Sequence, residues 1–570
     1  MKINVSPSVA ATQCNLSRLH ATTLDFNQIL PISAIDCIIG DKHTLDYSSF
    51  MRLAPLVYPT FGNMQLRFTS FFVPYYQVYD SFDDFVSGIG SHGNELLAVP
   101  CFKSNRFYSI FLYYGLSDAG APNKYDFVYF DNLSDSSTIK YRTFTTAGRY
   151  VYKILQCLGY SFTNEQGPSA ERFTYYSVLP ILCFLKAYND WMSLSATYNT
   201  SYITQFLRSY KSFNGDLTDS TNFFSLLAQA LSNVRPLIGS DYFTSAYNYM
   251  QVAGSLPNTS NNSTVYLGNP AAQSVKPSVT ADLTTIPLGN SLSTRQLNFL
   301  KSLDSWIRRN ELAGTKAAQR IFSRFGLKSE DFRSNYAHLI DSQKFPIQVA
   351  DVISNASTDN AALGSYAGQS VCSSNYKVSY ECQDYGMLFT FVNIDVRAMY
   401  YDNLDASVLR NSPLDFYQPE FDGVGLEPIS NAQLYSPVLA VSQDNFIDTI
   451  FGYTPRYEDY RTSYDKVTGD FVRYANMSPW HFGRDFSSMI EDNQLDVLPQ
   501  SNAFQFVGTE FDKIFQSDSN DTQDTMADHF YCIFNCNHQA FRRMKSRANS
   551  LQMSDGDITL HSLGQTLQSM

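Results

Sequence analysis

Between Gly62 and Pro74 the side chains alternate without a break, Met64, Leu66, Phe68, Ser70 and Phe72 on one face and Gln65, Arg67, Thr69, Phe71 and Val73 on the other. A period of two is the mark of a β-strand. At roughly 3.3 Å per residue the run is about 35–40 Å long, well beyond an ordinary strand, so it requires a large sheet to cross. Pro55 and Pro59 break the chain ahead of it, and Pro74, which has no amide hydrogen to give a ladder, ends it. A second long run, Met387 to Met399, forms the far half of residues 376–400, which read as a hairpin turning near Gln383-Asp384-Tyr385-Gly386. Long strands so far apart in sequence predict one sheet system, a mainly β sandwich over residues 1–570.

The rest of the chain fits around these strands. Residues 1–49 read as a polar arm and short strands, with a turn at Ile39-Gly40-Asp41-Lys42. Residues 102–146, rich in Tyr, Phe, Ser and Asp and without helical period, read as a large surface excursion. Residues 254–290, short of charge and full of Ser, Thr, Asn and Pro, read as an exposed insertion. Helices are expected over 147–159, over 178–192 near Pro180, and over 293–325, where Leu297, Leu300, Leu303, Ile307, Ala317, Ile321 and Phe325 recur at helical spacing up to Gly326. Residues 546–570 form a C-terminal tail. No repeat of fixed period is visible, which argues against a propeller or solenoid.

Composition narrows the function. With 39 Tyr and 43 Phe against 16% charged residues, the chain has more aromatic surface than a lone soluble domain hides, and an obligate oligomer is expected. A net charge of −12 excludes nucleic-acid binding driven by bulk charge. The nine cysteines are scattered, which predicts free thiols in a reducing compartment and no structural disulfide. The N-terminus lacks the apolar core of a secretory signal and no eighteen apolar residues run together, so a soluble protein in the cytoplasm or assembled there is expected.

Candidate chemistry is sparse. Gly88-Ile89-Gly90-Ser91-His92-Gly93 spells G-x-G-x-x-G, but no strand precedes it and no long helix follows, so it reads as a flexible loop. His529, Cys532, Cys536 and His538 carry metal-binding atoms, yet a strand would put His529 on the face opposite the other three. Asp518, Asn520 and Thr522 open like a calcium loop, but Gln523 and His529 stand where it needs Gly and Glu. No nucleophile elbow, P-loop or zinc-protease motif occurs, so neither an enzyme nor a metal or cofactor site is expected. Basic residues remain. Residues 295–333 hold nine Lys or Arg against four acids, including Arg308 and Arg309, and Arg542, Arg543, Lys545 and Arg547 form a second cluster near Phe541. Such patches on an acidic chain are either solvated faces or contacts to phosphate, with aromatic rings available to stack on bases.

Several separated blocks resemble the major capsid proteins of the Microviridae, the small single-stranded DNA bacteriophages, in a divergent gokushovirus-like subgroup. They are GDKHTLDYSSFMRLAPLVYPTFGNMQLRFTSFFVPYYQVYDSFDDFVSG from Gly40, LPILCFLKAYNDWM from Leu179, GSDYFTSA from Gly239, LGSYAG around Gly364, LDFYQPEFDGVGLEPI from Leu414 and FGYTPRYEDYRTSYDKVTGDF from Phe451. The resemblance implies a jelly-roll β-sandwich of viral capsid type whose many copies, through pentamers, form an icosahedral shell around circular single-stranded DNA in the bacterial cytoplasm. It also implies minor capsid or DNA-pilot proteins and a host receptor as further partners, without membrane insertion. Loops 102–146 and 254–290 would then face outward, and Arg542, Arg543, Lys545 and Arg547, followed by Arg308 and Arg309, would face the DNA. The rival from another class is a secreted β-sandwich carbohydrate-binding protein, whose Tyr-rich loops would stack on sugars.

Overall fold

The computed structural model describes residues 12–87, 98–112, 116, 145–162, 173–193, 202–220, 222–237, 241–246, 336–353, 366–411, 413–422, 426–435, 450–486, 511–515 and 528–544, with 351–353 and 366–371 as backbone. It also gives the backbone of four short strands, Tyr129–Phe130, Ile139–Lys140, Val265–Tyr266 and Ser278–Val279. The expected helix at 293–325, the G-x-G-x-x-G loop, the calcium-like stretch and the tail 546–570 lie outside these residues, as does most of 254–290.

Nine strands carry the architecture: β1 (Thr12–Asn15), β2 (Arg18–Leu24), β3 (Ile29–Cys37), β4 (Lys42–Leu53), β5 (Met64–Pro74), β6 (His338–Ile353), β7 (Tyr366–Glu381), β8 (Gly386–Val396) and β9 (Phe530–Arg542). All their pairings are antiparallel. One sheet runs β9–β4–β7, with β1 and β2 on the far side of β9; the other runs β6–β5–β8–β3. Strand β6 belongs to both, since His338–Ile347 pair with β5 and Gln348–Ile353 with β7. The result is the jelly-roll β-sandwich of viral capsid type.

The opening strand lies at its centre. Phe68 stacks on Tyr376 at 5.1 Å and meets Phe534 edge-on at 5.9 Å, so its ring touches the opposite sheet. Phe72 packs on Tyr380 at 5.1 Å and His338 at 5.7 Å. Polar groups in this interior are paired across the sandwich, as buried donors and acceptors must be. Tyr47 donates its hydroxyl to Thr390 (3.1 Å), Tyr376 donates to Ser70 (2.9 Å), and the Ser70 and Thr390 hydroxyls stand 3.1 Å apart.

The other face of β5 and β8 is covered too, and every residue of β8 is buried. A layer of four helices lies on this side, α1 (Thr146–Cys157), α2 (Leu179–Trp191), α3 (Tyr202–Tyr210) and α4 (Phe223–Ser232), with α2 against β5 and β8, α1 against β3, and α3 and α4 packed on the other helices. Phe184 of α2 packs on Phe391, which also meets Phe71. Thr145 caps α1 by accepting from the Gly148 amide, and Pro180 sits in the first turn of α2, where its missing amide hydrogen costs nothing. The Tyr150 hydroxyl accepts from the Ile29 amide and donates to the Val234 carbonyl, joining α1 to β3 and to the chain just after α4.

Two expectations are corrected. Residues 376–400 are not a hairpin: β7 pairs with β4 and β6, β8 with β3 and β5, and Cys382–Tyr385 carry the chain from one sheet to the other. At Gly386 a Cβ would stand 2.3 Å from the Val73 carbonyl oxygen, so only glycine lets β8 close on β5 there. The tract 102–146 does not begin as a surface excursion either. Ser104–Leu112 form a 3₁₀ helix in which Phe107, Ile110 and Phe111 are fully buried, Phe107 against Tyr160 and Phe162 and Phe111 against Tyr152.

The two outermost strands, β2 and β3, lie beside each other. Arg18 donates to the Ser33 hydroxyl at 2.7 Å, and His20 Nδ1 is 3.1 Å from the Ile32 carbonyl oxygen. Pro31 falls in β3, as suits an edge strand.

Candidate functional site

The C-terminal basic cluster begins where β9 ends, at one end of the sandwich. Arg542 is already engaged: its Nε lies 3.3 Å from the Asp41 carboxylate, and its Nη2 donates to the Asp36 carbonyl at 2.7 Å. Arg543 is exposed and lies over Gly40, where a Cβ would stand 2.8 Å from its Nε. Gly40 also has φ of +82°, a left-handed conformation that favours glycine. Two neighbouring arginines thus do different things, one holding a corner and one facing solvent. Lys545, Arg547, Arg308 and Arg309 lie outside the described residues.

The corner held by Arg542 joins two links between the sheets. The turn from β3 to β4 and the turn from β7 to β8 are tied by Gly40 N–H to Cys382 O (2.8 Å) and Cys382 N–H to Asp41 O (2.7 Å). Cys37, Asp41, His43 and Cys382 are all buried there. His43 Nδ1 and His538 Nε2 share a hydrogen bond of 2.9 Å. Burial, then Arg542, hold His43 down to about 4, and burial, then His43, hold His538 down to about 4, so both rings are neutral at ordinary pH.

Sequence reasoning grouped His538 with Cys532 and Cys536. These three do alternate on the buried face of β9, while His529 turns instead to Asp25 at 3.3 Å. The grouping of Cys37, His43 and Cys382 was missed because Cys382 comes to the other two from a distant part of the chain. One local signal was available: His43 occupies an inward place in the series Leu45, Tyr47, Ser49 and Met51.

A second titratable group lies near the other end of β9. Lys153 of α1 pairs with Asp528 and donates to Gln28 at 2.8 Å. Against its burial, the Lys153 ammonium and the hydrogen bonds from Lys153, Thr23 and Gln28 hold the Asp528 carboxyl below its ordinary value. Beside it, burial and then the Asp25 charge push Asp512 up to about 7, while against its own burial His529 is raised by Asp25 and Asp512. Because Asp512 has a folded value above the ordinary 3.8, the folded chain binds more protons than the unfolded chain between the two, and stability falls as pH rises through that window. The raised His529 adds a further loss above its ordinary 6.5. Asp512→Asn, a mimic of the neutral carboxyl, is expected to melt with the wild type near about pH 5 and above it near about pH 8. Equal melting temperatures at both pH values would contradict this.

Nothing in these groups resembles a catalytic constellation. An open cleft of about 620 Å³, lined in part by Asp402, Asp405, Lys466 and Arg473, contains a Lys466–Asp405 ion pair. Among the described residues no helix is long and apolar enough to cross a membrane.

Comparison with known proteins gives a consistent result. The family described as "Capsid protein (F protein)" matches residues 4–101 and 224–547. The unmatched interval contains the 3₁₀ helix and α1 to α3, hence also the 179–192 block. The capsid protein VP1 of Chlamydia phage 1 is 22% identical over 564 residues, covering 87% of this chain and 90% of that protein. The capsid protein VP1 of Bdellovibrio phage phiMH2K is 23% identical over 535 residues, covering 84% and 87%. These matches lend no support to a carbohydrate-binding module.

Proposed function

Because the chain belongs to the capsid protein (F protein) family, its role is that of a structural major capsid protein, and we propose that its copies meet across the outer face of the β2–β9–β4–β7 sheet and enclose circular single-stranded DNA in a small icosahedral shell. One observation carries this reading. The inner side of that sheet is the sandwich core, yet its outer side exposes Leu19, Phe50, Tyr531 and Ile533 as neighbours on adjacent strands. Apolar side chains grouped on a solvent face mark a contact surface, and in a shell the partner on offer is another copy.

The DNA side of the proposal rests on the chain that leaves β9. Arg542 is committed to Asp41, so the cations left for phosphate are Arg543, Lys545 and Arg547, with Arg308 and Arg309 behind them. Phe541, exposed beside them, offers a ring on which a base can stack. Pentamers, minor capsid or DNA-pilot proteins, assembly in the bacterial cytoplasm and outward loops at 254–290 and in the later part of 102–146 that contact a host receptor complete the reading.

Sedimentation of the purified full chain is expected to give megadalton particles, whereas a lone 64.4 kDa species would overturn it. Replacing Arg543, Lys545 and Arg547 together by Ala is expected to leave shells intact and lower packaged DNA about threefold or more, an effect that grows with salt. Unchanged packaging at raised salt would remove these residues from the DNA contact.

A further inference from the structure

The corner where both inter-sheet turns meet contains more coordinating atoms than a β-sandwich needs. Donor atoms of Cys37, His43 and Cys382 all lie within 4.8 Å of one another, and all three residues are buried. Asp41 joins them, its Oδ2 3.4 Å from His43 Nε2. Two of these atoms, His43 Nε2 and Asp41 Oδ1, are buried without a hydrogen-bond partner. A buried polar atom left unpaired costs about 1–3 kcal/mol, and here two such atoms belong to His43, which adjoins a pair of thiols, and to Asp41 beside it.

We propose that Cys37, His43 and Cys382, with Asp41 as the fourth ligand, form a structural site for a thiophilic divalent cation, zinc by its chemistry. Two sulfurs, an imidazole nitrogen and a carboxylate oxygen are a zinc donor set, and thiolates disfavour calcium or magnesium. In a tetrahedral zinc site the donors stand roughly 3.3–3.8 Å apart, so Cys37, His43 and Cys382 have only to contract by about an ångström, while Asp41, already 3.4 Å from His43, has to turn its carboxylate toward the two sulfurs.

The surroundings suit this role. His43 Nδ1 is already bonded to His538, leaving Nε2 as the free nitrogen, the kind of outer hydrogen bond that fixes the tautomer of a metal-bound imidazole. Asp41 Oδ2 is held by the Ile38 amide at 3.1 Å and by Arg542, which leaves Oδ1 for the ion. Two thiolates, one carboxylate, the dication and the Arg542 guanidinium together are neutral, as a buried site requires.

The ligands come from the end of β3, the turn after it, the start of β4 and the residue after β7. A single ion would therefore pin both turns that cross between the sheets. The site is independent of how copies of the chain meet.

The test uses the full-length chain, purified under reductant without chelator and dialysed against zinc. Metal analysis is expected to find about one zinc per chain, falling at least tenfold in the Cys37→Ser/Cys382→Ser variant. Should that variant fail to fold, cobalt added to the metal-free wild type decides: a thiolate-to-cobalt charge-transfer band with tetrahedral d–d bands supports the site. Zinc retained by the double variant, a wild type that takes up neither metal, or a Cys37–Cys382 disulfide found by mass spectrometry in its place would overturn it.

Discussion

Replacing Phe72 by Asp is expected to leave no soluble, assembled protein. The ring is fully buried between Tyr380 and His338, on a strand paired along its length with β6 and β8. Loss of a buried Phe costs about 3–5 kcal/mol, and an unpaired carboxylate in its place adds several more or must take up a proton. Domains of ordinary stability have about 5–15 kcal/mol in hand, so one substitution removes most of it. Soluble yield and particle count by sedimentation measure the effect, with Phe72→Leu as the milder control. Wild-type particle yield from the Asp variant would mean that this face of β5 does not point inward.

The second large effect concerns assembly without unfolding. Phe50 and Ile533 face each other across the β4–β9 ladder and are 42% and 45% exposed. Arg52 leans over the Phe50 ring at 5.4 Å, so the site already tolerates a charge at its rim. A double Phe50→Asp/Ile533→Asp variant removes two apolar contacts, each worth about 1.5–3 kcal/mol if buried by a neighbour, and places like charges side by side. Particle yield is expected to drop at least tenfold while the near-ultraviolet circular dichroism of the chain stays that of the wild type. Particles at normal yield would show that copies meet elsewhere.

The strands were legible because burial on one face imposes period two, which β4 and β9 keep along their length and β5 keeps over Met64–Phe68 before helices cover its second face. What the sequence hid was connectivity. A link of four residues suits a hairpin, but Cys382–Tyr385 crosses the sandwich: β7 pairs with β4 and β6 and β8 with β3 and β5, and the Tyr376–Ser70 and Tyr47–Thr390 hydrogen bonds span the gap between the two sheets. Ser104–Leu112 escaped notice because a 3₁₀ helix repeats every three residues, a period looked for neither in strands nor in α-helices. At the C-terminus the composition marked Arg542 as a phosphate ligand, yet its partner Asp41 stands at the other end of the chain. The metal-ligand corner was illegible for the same reason: Cys37, Asp41 and His43 are near in sequence, but no local spacing records that Cys382, just after β7, meets them.

The contact between β2 and β3 sets a limit on how such chains can polymerise. An open sheet edge is a row of unpaired amides and carbonyls onto which any extended segment can add, without regard to angle or number. Here the outermost strands turn toward each other, Arg18 reaching Ser33 and His20 reaching Ile32, with Pro31 interrupting the donors of β3 and Tyr150 of α1 taking the Ile29 amide. Strand addition along these edges is disfavoured. Copies are left to recognise one another through side chains, whose shapes fix an angle at each contact, and a closed particle of defined curvature is favoured over an open-ended fibril.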